Sequence, residues 1–315
     1  GANSDRSKKV TLMEDGLLFG PAPYSAPAAY YFPLMTRLTG MDVIKGPAAI
    51  LYGPQTIGGA LNLFTRDLPR RGHKGAADLS YGLFNTSKVH AHHGWSGSRG
   101  GFLVEGVNLM TDGFKELDGG GDTGFLKQEA MVKGRLTSDP LDEVFHRWDL
   151  KLGFSDETSN ETYLGLTDAD FRVNPFRRYS SSALDQMNLT RFQAETSYTL
   201  QIDEGFDFNA AFYWRSLTRS WRKLNRFKSG PSLADILASP DGGIRKVYFD
   251  VLTGIEDSGG EDETLMIGDN YREFLVLGGQ LSLRYEFTLG EFTSEIRAGL
   301  RYHMDQIERD HTEDG

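Results

Sequence analysis

The feature that most constrains this fold is a series of segments in which apolar and polar residues alternate, each bounded by turn-forming residues. A period of two residues is that of a β-strand whose two faces meet different surroundings. The long segments exceed the roughly 5–6 residues usual in a globular strand. The pattern predicts an antiparallel meander of about nine strands, at residues 76–84, 87–96, 102–110, 125–137, 145–155, 191–201, 206–218, 272–287 and 292–304.

The predicted connections between these strands fall into two lengths. Short turns at 85–86, 201–205 and 289–291 are expected to alternate with long connections at 112–124, 156–190 and 220–271. Transmembrane β-barrels show this asymmetry, whereas a soluble sandwich does not need it. Barrels with a plugged lumen have roughly 22 strands, so the chain is expected to hold the first part of one. Residues 305–315 are then expected to begin the next outer loop.

Composition agrees with such a barrel and excludes several other classes. The 315 residues contain no cysteine, which excludes disulfides and thiolate metal sites. No run approaches the ~20 consecutive apolar residues that a membrane-spanning helix needs. The formal net charge of -10 argues against nucleic-acid binding, which uses a basic surface. An aromatic content of 12% suits strands and the aromatic girdles of membrane barrels.

A dense series of turns and short apolar runs occupies residues 41–66. Its glycines and prolines break two strand-like stretches, at 41–45 and 60–65, from a short apolar run between them. This ordered series resembles the plug-domain signature of TonB-dependent outer-membrane receptors. The residues that carry the motif are Lys45, Gly46, Pro47, Tyr52, Gly53, Gly58, Gly59 and Asn62. Asp15 and Gly16, at the end of a strand-like run from residue 10, resemble the strand just before that signature.

The resemblance implies a mainly β fold with two parts. Residues 1–67 would be the C-terminal half of a plug domain, 68–74 a linker, and 75–315 the first part of a transmembrane antiparallel barrel. The family's energy-coupling segment and first plug half have no counterpart before residue 10, so the chain is expected to be a fragment. Arg37, Lys45 and Arg66 are expected to hold the plug through acids of the barrel wall.

One long connection resembles more closely the third extracellular loop of receptors of the ferric-citrate type. Its run from Thr162 to Phe171 contains Asp168-Ala169-Asp170, and arginines follow at 172, 177 and 178. Guanidinium groups suit carboxylates and other hard oxygen anions, including citrate-like chelators of ferric ion. The alternative is that these arginines pair with lipopolysaccharide phosphate or with nearby acids. The residues predicted to contact a ligand are Arg172, Arg177, Arg178, Arg215, Arg219, Gln55 and Thr56.

Other candidate sites carry less chemistry. His90 and His92 would share one strand face and His93 the other, so at most two could ligate one ion, fewer than the ~3–4 protein ligands that zinc favours. The acidic runs at 118–122 and 256–263 lack the spacing of a calcium loop. No metal site is predicted, and no hydrolase motif in its expected setting indicates an enzyme.

The function implied by the resemblance is uptake of a ferric chelate, a siderophore or a citrate-like complex, energised through TonB. Iron would travel as part of the chelate, so no cofactor is expected. Expected partners are the chelate, the TonB complex through a segment outside this chain, and the outer membrane of a Gram-negative bacterium with its lipopolysaccharide. Alternatives are uptake of cobalamin, a saccharide or another metal chelate, or a passive or structural outer-membrane barrel.

Overall fold

Two β-sheets dominate the computed structural model, which describes residues 10–19, 31–52, 56–139, 141–203 and 205–315. The first is a four-stranded sheet, here called the plug sheet, of order β2-β1-β4-β3. Its strands are β1 (Val10–Glu14), β2 (Leu17–Leu18), β3 (Leu38–Ile44) and β4 (Gly59–Thr65). β1 runs parallel to β4, and β3 runs antiparallel to it. A 3-10 helix, Pro47–Tyr52, occupies the apolar run between β3 and β4.

The turn between β1 and β2 follows directly from its sequence. Asp15 and Gly16 have φ angles of 51° and 82°, the left-handed region that an Asp-Gly pair adopts most readily in a tight hairpin. The side chain of Asn62 accepts a hydrogen bond from the Gly16 N–H at 2.8 Å. Thr65 donates its backbone N–H to Asp15 at 2.9 Å, which fixes the hairpin against β4.

The second sheet, here called the wall sheet, is a nine-stranded antiparallel meander, which confirms the predicted arrangement and strand number. Its strands are β5 (Gly72–Tyr81), β6 (Ser87–Ser96), β7 (Gly100–Thr111), β9 (Phe125–Thr137), β10 (Val144–Asn160), β12 (Gln186–Ile202), β13 (Phe206–Phe227), β14 (Leu265–Leu289) and β15 (Phe292–Asp314). β5 begins within the segment predicted as a linker, 68–74. Two short strands outside it, β8 (Glu116–Leu117) and β11 (Arg177–Arg178), pair in parallel.

Several predictions about the strand ends are wrong. Residues 305–314 continue β15 instead of starting a loop, and β10, β12, β13 and β14 extend well into the connections predicted at 156–190 and 220–271. The turn at 85–86 lies at the same end of the sheet as the long connections, so the short turns of the opposite end are those after β6, β9, β12 and β14. The backbone ladder continues where apolar alternation stops, because hydrogen bonding does not require it.

The two faces of the wall sheet differ in chemistry. The outer face carries exposed apolar side chains along most strands, among them Val104, Val132, Leu152, Phe192, Phe212, Leu281 and Leu300. The inner face packs against the plug sheet and carries buried charged side chains, among them Glu105, Glu129, Lys151, Arg191, Glu195, Arg215 and Arg219. This sorting, apolar outside and polar inside, is that of a barrel in lipid.

The long connections contain the helices. These are α1 (Asp168–Val173), α2 (Leu233–Ala238) and α3 (Ile244–Thr253). Leu252 and Ile236 of the helices pack with Leu224 and Phe227 at the end of β13. Within the described residues, the structure has no helix long and apolar enough to cross a membrane.

Apolar contacts attach the plug sheet to the inner face in three places. Leu12, Phe19, Tyr31 and Leu63 of the plug pack on Leu189, Leu217 and Phe274 of the wall. Leu17 packs on Tyr213 and Val276. Leu68, which follows the plug sheet, packs on Leu103 and Met131. Each contact removes apolar surface from water at about 25 cal/mol per Å², so these three contacts are dry anchors of the plug.

Buried ion pairs also join the plug to the wall. Lys151 of β10 contacts Glu14 at 2.5 Å, Asp15 at 2.9 Å and Glu195 at 3.5 Å. Arg37 of the plug contacts Glu129 at 2.6 Å and Glu14 at 3.4 Å. These partners have side chains at most 6% exposed, apart from Asp15 at 24%. The charges therefore compensate one another in a nearly water-free contact.

The electrostatics of Glu14 follow from this arrangement. Burial by itself raises the pKa of a carboxyl, but the positive charges of Lys151, Arg37 and Arg191 outweigh it and hold the pKa of Glu14 well below its usual range. Glu14 is therefore ionised at neutral pH. Its contribution to stability is present above the ordinary carboxyl pKa and is lost as the pH falls through the lowered value.

Arg66 makes a second predicted plug-to-wall contact, with Glu105 at 3.2 Å. His90 of β6 contacts the same carboxylate oxygen at 2.8 Å. Pairing of Arg37 and Arg66 with acids of the wall thus confirms that expectation for both arginines.

Replacing Lys151 by methionine is expected to loosen the β1–β2 hairpin, because Glu14 and Asp15 would lose their shared ammonium partner. Removing one member of a buried pair costs about 3–5 kcal/mol. Hydrogen–deuterium exchange of the β1 amides in the full-length protein, followed by mass spectrometry, measures this loss. Lys88→Met is the matched control, since the exposed Lys88–Asp78 pair should contribute only ~0–1 kcal/mol. Equal β1 protection in both variants would contradict the role assigned to Lys151.

Candidate functional site

Three arginines form a row across the inner face of the wall sheet. Arg219 on β13 lies directly opposite Arg272 on β14, and Arg272 lies directly opposite Arg309 on β15. Directly opposite residues of an antiparallel pair have Cβ atoms about 4.5–5.5 Å apart. Arg219 is 2% exposed and Arg272 9%. We call these three residues the arginine row.

The arginine row lies at the edge of the plug that faces the long connections. One inner-face position below it, toward the short turns, are Leu217, Phe274 and Ile307. These apolar side chains pack in the cluster that contains Leu12 and Leu63 of the plug. The row is therefore the first polar layer of the wall above that dry anchor.

Asn270 orients two members of the row. Its side-chain oxygen accepts hydrogen bonds from Arg272 at 2.9 Å and from Arg219 at 3.2 Å, and it contacts His311 at 2.8 Å. The Arg219 guanidinium also lies 5.0 Å from the centre of the Trp221 ring. Asn270 therefore helps to fix the positions of both guanidinium groups.

Like charges directly opposite one another destabilise a sheet. A sequence that keeps three arginines in such positions departs from the local rule for stability, and such departures concentrate at functional sites. Closely spaced guanidinium groups present forked donors that match carboxylates and other oxygen anions. The arginine row is therefore the best candidate binding surface in the described part of the chain.

The structure separates the two β13 arginines predicted to contact a ligand. Arg219 belongs to the row, whereas Arg215 lies two inner positions below it, paired with Glu195 and 5.2 Å from the Tyr213 ring. Arg191 of β12 lies beside this layer, with its guanidinium 4.0 Å from the ring of Tyr31 in the plug.

Sequence reasoning missed Arg191, Arg272 and Arg309. Each of these arginines lies in a strand, where successive side chains point alternately to the inner and the outer face. The apolar residues of each strand indicate which of its side chains face inward, so the inward direction of these arginines could be predicted. Their alignment in one row could not, because it depends on the register between the strands.

Arg177 joins two long connections. It contacts Asp118 at 3.0 Å and Asp170 at 2.9 Å, and its guanidinium lies 5.2 Å from the ring of Tyr179. Hydrogen bonding to Asp118 is the main reason that the pKa of Arg177 lies above its usual value. The β8–β11 pairing runs beside this contact, so Arg177 ties residues 112–124 to 161–185.

The other predicted loop arginines lie apart from the arginine row. Arg172 forms an exposed pair with Asp168 at 2.9 Å within α1. Arg178 donates to the backbone oxygens of Pro175 at 2.9 Å and Arg177 at 2.5 Å. Arg172 and Arg177 thus lie beside acids, as the alternative interpretation of the sequence had it, whereas Arg178 contacts backbone oxygens.

Asp185 anchors the same connection to β13. Its carboxylate accepts backbone N–H bonds from Leu224 at 2.8 Å and Tyr163 at 3.0 Å. Burial raises the pKa of Asp185, and these hydrogen bonds oppose the rise. The centre of the Tyr163 ring lies 5.3 Å from that of the Trp221 ring. Because Trp221 also contacts Arg219, the connection is packed close to the arginine row.

The histidines of β6 do not gather into a metal site. His90 faces inward and is buried, whereas His93 stacks on His73 with ring centres 5.5 Å apart. No group of three or more histidine or acidic residues within the described residues could hold a metal ion.

The plug motif has mainly a backbone role where the structure describes it. Gly46 and Gly59 have φ angles of 76° and 120°, and a Cβ at Gly59 would lie 2.6 Å from the carbonyl oxygen of Ile44. The Tyr52 carbonyl accepts from Arg301 of the wall at 2.8 Å. Pro47 opens the 3-10 helix.

The remaining plug predictions are placed only in part. Lys45 and Gly58 are exposed, and the Thr56 carbonyl accepts from the Gly59 N–H at 2.9 Å. Gly53 and Gln55 lie outside the described residues, so the predicted ligand contact of Gln55 stays a prediction, as does that of Thr56.

No family model matches the sequence. The structure is similar to that of the ferric citrate transporter FecA in its unliganded form, with a TM-score of 0.72 and 20% identity, over 100% of this chain and 41% of that one. It is also similar to the siderophore receptor PiuA from Acinetobacter baumannii (TM-score 0.63, 11% identity, 98% of this chain and 40% of that one). A third similar structure is the open form of the ferric-catecholate import receptor Fiu from E. coli K12, with a TM-score of 0.62 and 12% identity, over 96% of this chain and 43% of that one.

The chain thus spans about two fifths of the length of these proteins. At such identities the likeness concerns the fold. The chain has the fold of the corresponding part of these receptors, a partial plug followed by part of an antiparallel β-barrel, as the sequence predicted.

Proposed function

We propose that the protein containing this chain takes up an anionic ferric chelate across the outer membrane of a Gram-negative bacterium. The observation that carries the proposal is the arginine row, which places Arg219, Arg272 and Arg309 at the edge of the plug. A chelate entering between the long connections meets these guanidinium groups before it reaches the apolar contact of Leu12 and Leu63 with the wall. The apolar outer face supports a location in the membrane.

A citrate-like chelate suits this surface because its carboxylates offer paired oxygens to forked donors. The likeness in fold to a ferric citrate transporter supports the same choice. Iron is the cargo within the chelate, so the protein needs no resident cofactor. Transport requires no covalent chemistry, which fits the fold of transporters rather than enzymes.

The energy for transport is proposed to come from TonB, acting through a plug segment outside this chain. The outer membrane and its lipopolysaccharide are the proposed surroundings of the wall. The proposed ligand-binding residues include all those predicted from the sequence, Arg172, Arg177, Arg178, Arg215, Arg219, Thr56 and Gln55. The structure adds Arg272 and Arg309 to this set as neighbours of Arg219.

Arg219→Gln and Arg272→Gln are each expected to weaken binding of ferric citrate to the purified full-length protein. A charge-assisted hydrogen bond contributes roughly 1.5–3 kcal/mol, which corresponds to about ten- to a hundredfold in Kd. Quenching of Trp221, whose ring adjoins Arg219, offers a direct measurement, with Trp221→Phe identifying its signal.

Arg297→Gln is the matched control for this titration, because Arg297 is 74% exposed on β15 near the short turns. Unchanged affinity in both row variants would overturn the assigned site. If the wild-type protein fails to bind ferric citrate but binds a ferric catecholate, cobalamin or a saccharide, the proposed ligand class is wrong.

Arg177→Ala and Asp118→Asn are expected to weaken binding equally if Arg177 acts by joining the two connections. Both should raise hydrogen–deuterium exchange at 112–124 and 177–179, because both break the same 3.0 Å contact. If Arg177 instead touches the ligand, Arg177→Ala alone would weaken binding while exchange changed equally in both. Lys246→Ala, which removes an exposed ammonium group paired with Asp250 within α3, controls for a general effect of charge at this end.

A further inference from the structure

An apolar groove of about 560 Å³ lies on the outer face of the wall sheet, across β10, β12, β13, β14 and β15. Its lining combines two small residues, Ala210 and Gly279, with larger side chains around them, those of Trp148, Tyr198, Phe212, Leu281, Leu300 and Tyr302. None of the described residues that line it is charged. Its volume lies within the roughly 300–1,000 Å³ of pockets that bind small molecules. We call it the outer groove.

The strand pairing explains why the groove forms at this place. Ala210 of β13 lies directly opposite Tyr198 of β12 and Leu281 of β14. In the next row of the outer face, Gly279 lies between two aromatic side chains in the same way. Side chains stand roughly perpendicular to a sheet, so a small residue between two large ones leaves open space above it. Two such rows side by side give one continuous depression.

The glycine at position 279 is not required by the backbone. A Cβ there would lie 3.5 Å from its nearest neighbour, the Ala211 carbonyl oxygen, which is an ordinary contact distance. The φ angle of Gly279 is also outside the left-handed region. Glycine inside a strand weakens it, and it often marks a place where a ligand approaches closely. The space above Gly279 is thus the feature that accounts for the residue.

The polar atoms of the two largest groove residues on β10 and β12 have partners within the wall. Trp148 donates its indole N–H to the Thr196 hydroxyl at 2.5 Å. The Tyr198 hydroxyl contacts Nδ1 of His146 at 2.7 Å. Buried tryptophan and tyrosine need such a partner for their polar end. Because both polar ends are satisfied, the two rings present apolar surface to an occupant of the groove.

The groove lies at the depth of lipid acyl chains. Trp148 is four residues from the start of β10, and Tyr198 is four residues from the end of β12, both at the end of the sheet with the short turns. At about 3.3 Å per residue this is a distance of roughly 13 Å along the strand. The apolar band of a membrane barrel is about 25 Å tall. The groove therefore lies within the band, in reach of chains from the leaflet on the side of the short turns.

We infer that the outer groove binds an acyl chain of a phospholipid from the leaflet on the side of the short turns. The inference rests on the proposed location of the wall in the membrane and not on the transported ligand. Apolar burial provides little attraction between an acyl chain and a protein in a membrane, so close packing decides which chains are retained. The outer groove offers contacts on several sides of a chain, whereas the rest of the outer face offers them on one. A chain in the groove is therefore held more firmly than its neighbours.

Gly279→Leu tests the inference because its side chain fills the groove. Native mass spectrometry of the full-length wild-type protein, extracted in a mild detergent, is expected to show a retained phospholipid, and Gly279→Leu is expected to lose it. Gly134→Leu is the matched control, since Gly134 lies on the outer face of β9, outside the groove, where a Cβ would also meet open space. Heat-modifiable mobility shows that each variant has folded.

Equal lipid retention in the two folded variants would overturn the inference. A retained lipid A would overturn the assignment to the leaflet on the side of the short turns. A dimeric wild-type protein that Gly279→Leu converts to a monomer would overturn the lipid as occupant, because a second copy would then fill the groove. Affinity for ferric citrate should be unchanged in both variants, so failure of this inference and failure of the proposed function give different results.

A second measurement remains informative if Gly279→Leu fails to fold. Phosphatidylcholine with brominated acyl chains, titrated into the full-length protein in detergent, is expected to quench Trp148 in a saturable manner. The difference between the wild type and Trp148→Phe isolates this signal. Trp95→Phe isolates that of Trp95, which is exposed on the outer face of β6 and lies outside the groove. Equal and unsaturated quenching of both tryptophans would contradict a bound chain.

Discussion

The unbroken register of the wall strands is the constraint on which every contact between the two sheets depends. From β12 to β15 the pairing runs without a shift except between Leu224 and Arg226, above the arginine row. Because side chains alternate with a period of two, a slip of one residue would move a whole set of inner charges to the outer face. Arginines on a lipid-facing surface cost about 2–4 kcal/mol each at mid-membrane, which holds the register in place.

That register places buried charges where apolar residues would often be more stabilising. Replacing a buried ion pair by well-packed apolar groups is frequently neutral or favourable, so the contact of Lys151 with Glu14 is a weak means of fixing a static plug. Such a pair can also separate at a lower cost than an apolar contact, because separated ions regain hydration. The three dry anchors differ in this respect, since their separation only exposes apolar surface. Two of these anchors, at Leu12 and Leu17, lie in the β1–β2 hairpin, so the hairpin is held to the wall by both kinds of contact.

The sequence predicted the fold wherever a local rule decides the structure. Asp15-Gly16 specifies its turn by conformation alone, and the alternating segments specify nine strands. The predicted strand ends were wrong where alternation stops: residues 219–227 of β13 and 305–314 of β15 carry polar or charged side chains on both faces, with few apolar residues between them, yet their backbone remains paired. The β-propensity of a segment does not predict strand pairing that depends on hydrogen bonds to neighbouring strands.

The site was harder to predict because its partners are distant along the chain. The arginines of the 161–185 connection were visible, but Asp118 lies 59 residues from Arg177, so nothing local indicates their contact. Arg272 and Arg309 stand in unremarkable strands and gain meaning only through pairing with Arg219 and with each other. The sequence shows which residues are positively charged, but only the strand pairing shows which of them lie next to one another.

The strands below the arginine row differ in the side chains that they turn toward the plug. Directly below the row the wall is apolar on β13 to β15, since Leu217, Phe274 and Ile307 pack on the plug. On β12, however, the next inner position below Leu189 is Arg191, which lies over Tyr31 and donates to Gln193. Gln193 in turn contacts Glu14. Polar contacts thus continue on β12 below the level of the row, whereas the apolar cluster interrupts them on β13 to β15.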